Sequence, residues 1–469
     1  MLHSKCISIY SNLARCDRLA EVRTIDRFCF GAAGRIGSTT HSQAQQHGRR
    51  IGNGVTPAFA VTLALLLASG CNRWRFPEAR PGYREFAYVS NGGSNTVSVL
   101  DLVYLRQDRT LQVGVQPTGI AANPKRDEVY VVNAGTAAGN GSVSVIDTDE
   151  NRVVATIPLH KLPYFIDVDA AGEHGYVANS GSNTVSVIDL RQRREIGVVG
   201  AGEQPGVARI SPDMRSLVVT NRGSGSVSIF AVPPYTAGDR TILPGLSIRP
   251  KTTQNALLPS LRASFSGCPG ATDAAVLPDS SKAFIACSGG HQVMAVSLAA
   301  APDSWAAKQN SSLLTDRLLA LLDVGQTPVH LALKPDGGEI FCSNFGSNSI
   351  SEIETGTNEV GATYMIGNKP VYGVVSVDNS TLWVADFGGD SINLWSIDDG
   401  QMAGSVRTGH APDQMAFSAD EHLLLAADAR SGDVTVIRTS DKNGPALFTI
   451  LPAGNAPNAI AVKSMQAKL

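Results

Sequence analysis

Short runs of alternating apolar and polar residues recur along the chain from about residue 86, each bounded by Gly, Asn or Ser. A typical run is Thr96-Val-Ser-Val-Leu-Asp101, and Thr184-Val-Ser-Val-Ile-Asp189 is a close copy. Alternation with a period of two, rich in β-branched residues and bounded by turn-forming residues, predicts strands joined by tight turns. The pattern therefore predicts an all-β domain over residues 86–469.

A second strand precedes each of these runs and ends in a small polar residue, usually Asn or Asp. Its copies are Tyr88–Asn91, Tyr130–Asn133, Tyr176–Asn179, Val218–Asn221, Phe284–Cys287, Phe341–Asn344, Trp383–Asp386 and Leu425–Asp428. Asn and Asp side chains commonly bond backbone N–H groups two residues further on. We therefore interpret the recurring Asn/Asp as a support of the turn, not as a ring of ligands.

A Gly-x-x-Pro motif followed by a short apolar strand alternates with this pair of strands. Its copies are Gly114–Pro117, Gly202–Pro205, Gly325–Pro328, Gly367–Pro370, Gly409–Pro412 and Gly454–Pro457, with degenerate copies at Pro163 and Pro269. The unit thus has four strands, A after the Pro, B ending in Asn, C with Val-Ser-Val and D. It recurs about every 42 residues, within the 40–45 typical of a propeller blade.

The residues that carry this pattern resemble the YVTN repeat β-propeller family, over roughly residues 86–463. The resemblance implies a β-propeller fold and is unspecific about activity. The family contains surface-layer and other exported proteins, and related propellers include lactonases and redox enzymes.

The number of blades follows from how the ring closes. The chain holds eight B–C–D sets and eight A strands, but no A strand precedes the first set and no set follows the last A strand. Pairing these two leaves no unprotected sheet edge. We predict eight four-stranded blades, closed by the C-terminal strand pairing with the first blade; the alternative is seven blades and a stray unit.

The pattern of the N-terminal region predicts an export signal. Ala58–Ala68 is apolar but only about half as long as the ~20 residues of a membrane-spanning helix, and Arg49 and Arg50 precede it. The following Leu67–Cys71 resembles a bacterial lipobox. We predict a lipoprotein signal over 47–70, lipidation of Cys71, a linker over 71–85, and a disordered leader or mis-set start over 1–46; a secretory signal or short anchor is the alternative.

These assignments predict an outer-membrane lipoprotein of a bacterial cell envelope, facing the periplasm or the cell surface. Its membrane contact would be the lipid anchor. Residues 71–469 carry 31 basic and 38 acidic residues, a net charge of −7. Because nothing in that balance would neutralise phosphates, nucleic acid is not an expected partner.

In a propeller the A strands line the channel and the D–A and B–C loops share one rim. The candidate channel-rim residues are His160, Tyr164, Glu203, Arg209, His330, Tyr372, His410 and Asp413. Asp273 also falls in a predicted A-strand position. His330 and His410 could serve as metal ligands or general bases. The alternative is isolated histidines that are solvated or hydrogen-bonded, so we predict no metal and no cofactor.

Enzyme motifs are sparse in the sequence. It lacks Cys-x-x-Cys-His for covalent haem and a Gly-x-Ser-x-Gly nucleophile elbow. The leading interpretation is a binding or scaffold module for a protein, glycan or small ligand at the channel rim. The alternative is a periplasmic enzyme of the lactonase or redox-propeller kind, with its chemistry in the channel.

Cys268 and Cys287 fall at the same end of one predicted A–B hairpin. An exported protein occupies a compartment that permits disulfides. The two cysteines therefore form either a disulfide or a pair of packed free thiols.

Overall fold

The computed structural model describes residues 81–233, 258–302, 304–440 and 444–465. Over these residues, 32 strands form eight four-stranded antiparallel sheets. The prediction of an eight-bladed β-propeller is confirmed. The predicted leader, signal peptide and Cys71 lie outside the described residues. No helix within the described ranges has the length and apolar character needed to cross a membrane.

The first four blades are built as follows, with blade 1 taking its A strand from the C-terminus. Blade 1 has β1 (Arg84–Asn91), β2 (Thr96–Asp101) and β3 (Arg106–Gln112). Blade 2 has β4 (Pro117–Ala122), β5 (Glu128–Asn133), β6 (Asn140–Asp147) and β7 (Arg152–Lys161). Blade 3 has β8 (Pro163–Val168), β9 (His174–Asn179), β10 (Thr184–Asp189) and β11 (Arg194–Gly200). Blade 4 has β12 (Pro205–Ile210), β13 (Ser216–Asn221), β14 (Ser226–Ala231) and β15 (Ser260–Ser266).

The last four blades follow the same order. Blade 5 has β16 (Ala271–Val276), β17 (Lys282–Cys287), β18 (Gln292–Ser297) and β19 (Arg317–Asp323), with the helix α1 (Trp305–Gln309) and a 3-10 turn (Ser311–Leu314) before β19. Blade 6 has β20 (Pro328–Leu333), β21 (Glu339–Asn344), β22 (Ser349–Glu354) and β23 (Glu359–Met365). Blade 7 has β24 (Pro370–Val375), β25 (Thr381–Asp386), β26 (Ser391–Ser396) and β27 (Gln401–Arg407). Blade 8 has β28 (Pro412–Phe417), β29 (Leu423–Asp428), β30 (Asp433–Arg438) and β31 (Ala446–Pro452), and β32 (Pro457–Met465) completes blade 1.

The ring closes between the two ends of the described chain, as predicted. β32 pairs antiparallel with β1, with Met465 opposite Arg84. Ser90 Oγ donates a hydrogen bond to Asn458 Oδ1 at 2.7 Å. The inner edge of β1 is therefore paired, as the inner edge of the B strand is in the other seven blades.

The core lies between neighbouring blades, where both faces of each B and C strand are covered. In most blades an aromatic residue starts the B motif and is the bulkiest part of this core: Tyr88, Tyr130, Tyr176, Phe284 and Phe341 are at most 1% exposed. Burying a large apolar side chain stabilises a fold by about 1.5–3 kcal/mol. The repeat thus contributes one such anchor in most blades.

The recurring Asn at the end of strand B is structural, but its contacts differ from those predicted. Asn91 Nδ2 donates to Thr96 Oγ1 at 3.1 Å and to Ser98 Oγ at 3.0 Å on the neighbouring C strand. Its Oδ1 accepts from Gly454 N, in the loop that enters the A strand of the same blade, β32. The amide therefore joins one loop to strand C, and the Ser of Val-Ser-Val is one of its partners.

The Gly-x-x-Pro loop has a conformational reason for its form. The residue before each Pro has a positive φ, for example 52° at Gln116 and 59° at Lys369. Its backbone N–H is held by the side chain that precedes strand C, such as Asn95 Oδ1 to Gln116 N at 2.9 Å. Asn348 holds Lys369 in the same way. These contacts fix the loops that form the channel mouth.

Candidate functional site

The central channel is bounded by the A strands, which lie side by side around the ring in the order β32, β4, β8, β12, β16, β20, β24 and β28. Each begins opposite the last residue of its B strand, as Pro328 does opposite Asn344. In blade 5 Ala271 takes this place, opposite Cys287. The proposed degenerate motif at Pro269 is therefore out of register by two residues.

The second residue after this starting position divides the ring in two. In blades 5–8 it is polar, and these residues form what we call the polar half-ring: Asp273, His330, Tyr372 and Gln414. In blades 1–4 it is small or apolar: Ala459, Gly119, Phe165 and Val207. One side of the channel thus carries the hydrogen-bonding groups at this level.

Three members of the polar half-ring are each held by the next blade. Asp273 Oδ2 accepts from Leu331 N at 3.0 Å, and His330 Nδ1 accepts from Gly373 N at 3.2 Å. Gln414 Oε1 accepts from Ile460 N at 2.8 Å. Because backbone donors fix the side chains, their remaining polar atoms are pre-oriented without help from a ligand.

The protonation of His330 follows from these contacts. Its Nδ1 accepts a backbone N–H, so the neutral ring carries its proton on Nε2. That nitrogen lies 3.7 Å from Asp273 Oδ2, and the ring centroid is 3.8 Å from that of Tyr372. Burial lowers the pKa of His330, although Asp273 opposes this. His330 therefore faces the channel as a neutral donor.

Arg209 lies deeper in the channel, four residues after Pro205. Its guanidinium nitrogens are 3.7 Å from Asp167 Oδ1 and 3.9 Å from Asp273 Oδ1, and its carbon lies 4.7 Å from the Phe165 ring centroid. Both carboxylate contacts exceed hydrogen-bond length. Burial lowers the pKa of Arg209, but the two carboxylates outweigh it and the pKa lies above its ordinary value. The side chain, 33% exposed, keeps donors for a ligand.

Tyr164 and Asp413 stand at the channel mouth, one residue after Pro163 and Pro412. Arg222 covers the Tyr164 ring at 4.7 Å from its centroid. Asp413 is 7% exposed, and burial raises its pKa to about 7. Its charge reaches the phenols of Tyr164 and Tyr372, from blades 3 and 7.

The structure brings five of the eight candidate residues to the channel: Tyr164, Arg209, His330, Tyr372 and Asp413. The other three lie apart from this group. His160 is 3.3 Å from Glu195 between two D strands, and Glu203 is exposed in the loop before β12. His410 has a 74% exposed side chain on the rim, 2.9 Å from Asp390.

Sequence reasoning missed Asp167 and Gln414, although both obey the spacing of residues it found. Gln414 follows Pro412 by two positions, as His330 follows Pro328. Asp167 follows Pro163 by four, as Arg209 follows Pro205. Aligning the A strands on their prolines would have placed both in the channel.

Cys268 and Cys287 form a disulfide, with an S–S distance of 1.98 Å. Cys287 occupies the place of the recurring Asn. In blade 4 that residue, Asn221, accepts from Gly202 N of the preceding loop at 3.0 Å. In blade 5 a covalent bond holds the equivalent loop, which leads directly to Asp273.

One group of carboxylates in the described ranges has the spacing of a metal site. Oxygens of Glu339, Glu352 and Glu354 lie within 4.8 Å of one another on blade 6. Lys334 Nζ is 3.4 Å from Glu339, and Tyr364 donates to Glu352 at 2.8 Å. Lys334 thus offsets part of the negative charge, and Tyr364 supplies a hydrogen bond. The group lies outside the polar half-ring.

Comparisons with known proteins identify the fold. No protein-family model and no curated sequence match the chain. Among solved structures, dihydro-heme d1 dehydrogenase NirN in complex with DHE has a TM-score of 0.61 at 16% identity, over 83% of this chain and 77% of that one. A protein from Lactobacillus plantarum gives 0.53 at 14%, over 81% and 99%. The periplasmic gluconolactonase PpgL from Pseudomonas aeruginosa gives 0.51 at 16%, over 81% and 98%.

Proposed function

We propose that this protein is a binding module that captures a small hydroxyl-rich ligand in its central channel. The observation that supports this most is the polar half-ring, in which Asp273, His330 and Gln414 are each fixed by a backbone N–H of the next blade. A few fixed polar groups beside apolar and aromatic walls are typical of small-molecule sites. Among the partners considered, this favours a small ligand or one unit of a glycan over a protein.

The charge of the channel limits the class of ligand that it can bind. Beside the half-ring, the single guanidinium of Arg209 faces the carboxyls of Asp167 and Asp273. The excess of carboxylates disfavours an anionic ligand. Hydroxyl groups suit the site because carboxylates and Gln414 can accept from them while Arg209 and His330 donate. The rings of Phe165 and Tyr372 offer apolar faces for the carbon skeleton of a sugar.

We further propose that the protein acts in the bacterial envelope, anchored in the outer membrane by a lipid on Cys71, and that it belongs to the YVTN repeat family. The signal-like segment 47–70 and the repeat residues support these assignments. The anchor is tested by replacing Cys71 with Ser. The variant should leave the membrane fraction and lose incorporation of labelled fatty acid, whereas unchanged labelling would contradict the assignment.

A second candidate is hydrolysis of a sugar lactone in the same channel. The convergence of Arg209 and His330 on Asp273 favours it, since titratable groups gathered in a channel mouth are typical of active sites. The name of one fold relative, a gluconolactonase, agrees with a sugar-derived substrate. The other predicted members, Glu203 and His410, do not join this group.

Calorimetric titration of the purified full-length protein tests the proposal. Glucose and gluconolactone should bind, and gluconate should bind at least tenfold more weakly because of its charge. Arg209→Gln should weaken glucose binding at least tenfold by removing the ligand's main donor. Arg407→Gln, an exposed residue on the outer strand β27, is the matched control and should bind as the wild type does.

The outcomes separate the two candidates. Opening of gluconolactone is measured by the acid that it releases. If glucose binds and no lactone is opened, the result supports the binding module. Arg209-dependent opening of the lactone supports the enzyme. If no sugar, lactone or sugar acid binds, or if Arg209→Gln binds as well as Arg407→Gln, the channel proposal is wrong.

A further inference from the structure

Asp413 is a buried carboxyl for which the protein supplies no partner. Only 7% of the residue is exposed, and no hydrogen bond to its side chain comes from any residue in the described ranges. Buried carboxylates in proteins are normally paired or hydrogen-bonded, because desolvating an isolated charge costs several kcal/mol. None of the described residues supplies that partner for Asp413.

The equivalent residues of other blades underline the anomaly. Thr118 and Thr272, each one position after the start of its A strand, donate to carbonyls of the next A strand, Tyr164 O at 3.0 Å and Pro328 O at 3.3 Å. Asn458 does the same to Pro117 O at 2.9 Å. A carboxylate has no proton to donate in this way, so at neutral pH Asp413 cannot replace them once ionised.

The nearby basic side chains do not form an ion pair with the Asp413 carboxylate. Arg209 faces Asp167 and Asp273, and Arg222 lies over the Tyr164 ring. The pKa of Asp413 is raised by burial alone, with no lowering by either guanidinium. When ionised, Asp413 thus adds a further negative charge to a channel where the carboxyls of Asp167 and Asp273 already outnumber the guanidinium of Arg209.

The surroundings of Asp413 suit a cation. Burial raises the pKa of the Tyr164 and Tyr372 phenols, and the negative charge of Asp413 adds to this. An ammonium beside Asp413 would supply the positive charge that this carboxyl lacks, while hydroxyl groups of the same molecule reached the polar half-ring.

We propose that the channel ligand carries an ammonium group that pairs with Asp413, which makes it a small hydroxylated amine such as an amino sugar. This inference rests on the proposed function and names its ligand class. Ion pairing supplies the partner that the carboxyl lacks, and the hydroxyls use Arg209, Asp273 and His330 as described above.

Glucosamine and glucose form a matched pair that tests the inference, because they differ by the amino group alone. Calorimetry at pH 6.5 with the full-length protein should give at least a tenfold tighter Kd for glucosamine. Asp413→Asn should abolish that preference while glucose binds as before. Asp398→Asn, an exposed residue in the turn before β27, is the control and should keep the preference.

Asp413→Thr is the second variant, because Thr occupies this place in blades 2 and 5. It should fold even if Asp413→Asn does not, and should also lose the preference. Equal affinity for both sugars in the wild type, with glucose binding still dependent on Arg209, would overturn the inference and leave the channel proposal intact. An equal loss of both sugars in the Asp413 variants would likewise overturn it, and absence of binding by either sugar would overturn both.

Discussion

Blades 1–4 and blades 5–8 share one backbone, yet they differ at the level of the polar half-ring. Blades 1–4 have Ala459, Gly119, Phe165 and Val207 at this level of their A strands, whereas blades 5–8 have Asp273, His330, Tyr372 and Gln414. The end of strand B shows a related division, although blade 6 keeps its Asn, Asn344. Blades 1–4 keep the recurring Asn, and blades 5, 7 and 8 replace it with Cys287, Asp386 and Asp428.

The comparison separates two tasks that the repeat performs. In blades 1–4 the Asn amide and C-strand hydroxyls hold the turn, and the residue at the level of the half-ring is small or apolar. In blades 5–8 that residue is polar, and in three of the four blades a backbone donor of the next blade fixes it. The regular half therefore acts as a wall, and the irregular half supplies most of the chemistry.

The largest effect is expected from removing the strand that joins the two halves. Deleting residues 455–469 takes away β32, which pairs with β1 along Arg84–Asn91, and it leaves Gln414 Oε1 without its donor Ile460 N. An open edge and an exposed core face should abolish cooperative unfolding or make the protein insoluble. Circular dichroism melting would measure this, with deletion of residues 466–469 as the control that should melt as the full chain does.

A circular permutant tests whether closure itself is the cause. Met465 lies opposite Arg84, so residues 455–465 can precede Arg84 through a short turn. This permutant should recover the cooperative melt. A truncated chain that melts like the intact one would contradict the role of β32.

The second prediction compares the two halves directly. Asp273→Ala should destabilise the fold by about 2–4 kcal/mol, because it leaves the buried Leu331 N–H without an acceptor and removes the carboxylate shared by Arg209 and His330. Ala459→Gly, at the same level of the small half, removes only a methyl group and should cost about 1 kcal/mol. Urea unfolding of both variants measures the difference, and equal losses would mean that the half-ring is not fixed as described.

Much of this arrangement could be predicted from the sequence, because the repeat is local. Alternation, the Asn turn and Gly-x-x-Pro predicted the blades and their closure, and they placed Arg209, His330 and Tyr372 near the channel. The channel position of Gln414 was missed because the A strands were not aligned on their prolines. Glu203 and His410 were included because the sequence places both in loops of the channel rim, but their side chains are exposed to solvent.

Register decided the remaining error. Pro269 looks like the start of an A strand, yet the chain advances two residues before pairing, and Ala271 lies opposite Cys287. The disulfide between Cys268 and Cys287 spans this interval. A covalent bond at the place of the Asn amide relaxes the need for the usual loop, and no periodicity in the sequence could indicate that shift.

The smallest predicted effect concerns the Asp that replaces Asn in blade 8. Asp428 is fully buried, accepts from Thr435 Oγ1 at 2.6 Å and lies beside Asp433. Burial raises its pKa to about 8, against about 3.9 in an unfolded chain. Between these two values the folded protein holds a proton that the unfolded chain has lost, so stability falls as the pH rises from about 4 to 8.

Asp428→Asn should remove this pH dependence and stabilise the protein by about 1–2 kcal/mol at pH 7.5, since an amide needs no proton to donate to its neighbours. The reciprocal change in the regular half, Asn91→Asp, should introduce the same loss of stability with rising pH, because Asn91 Nδ2 donates to Thr96 and Ser98. Urea unfolding at pH 5 and pH 7.5 measures both. If Asp428→Asn is no more stable than the wild type at pH 7.5, the carboxyl is not held in its protonated form. Replacing Asn by Asp at the end of strand B would then have no effect on stability.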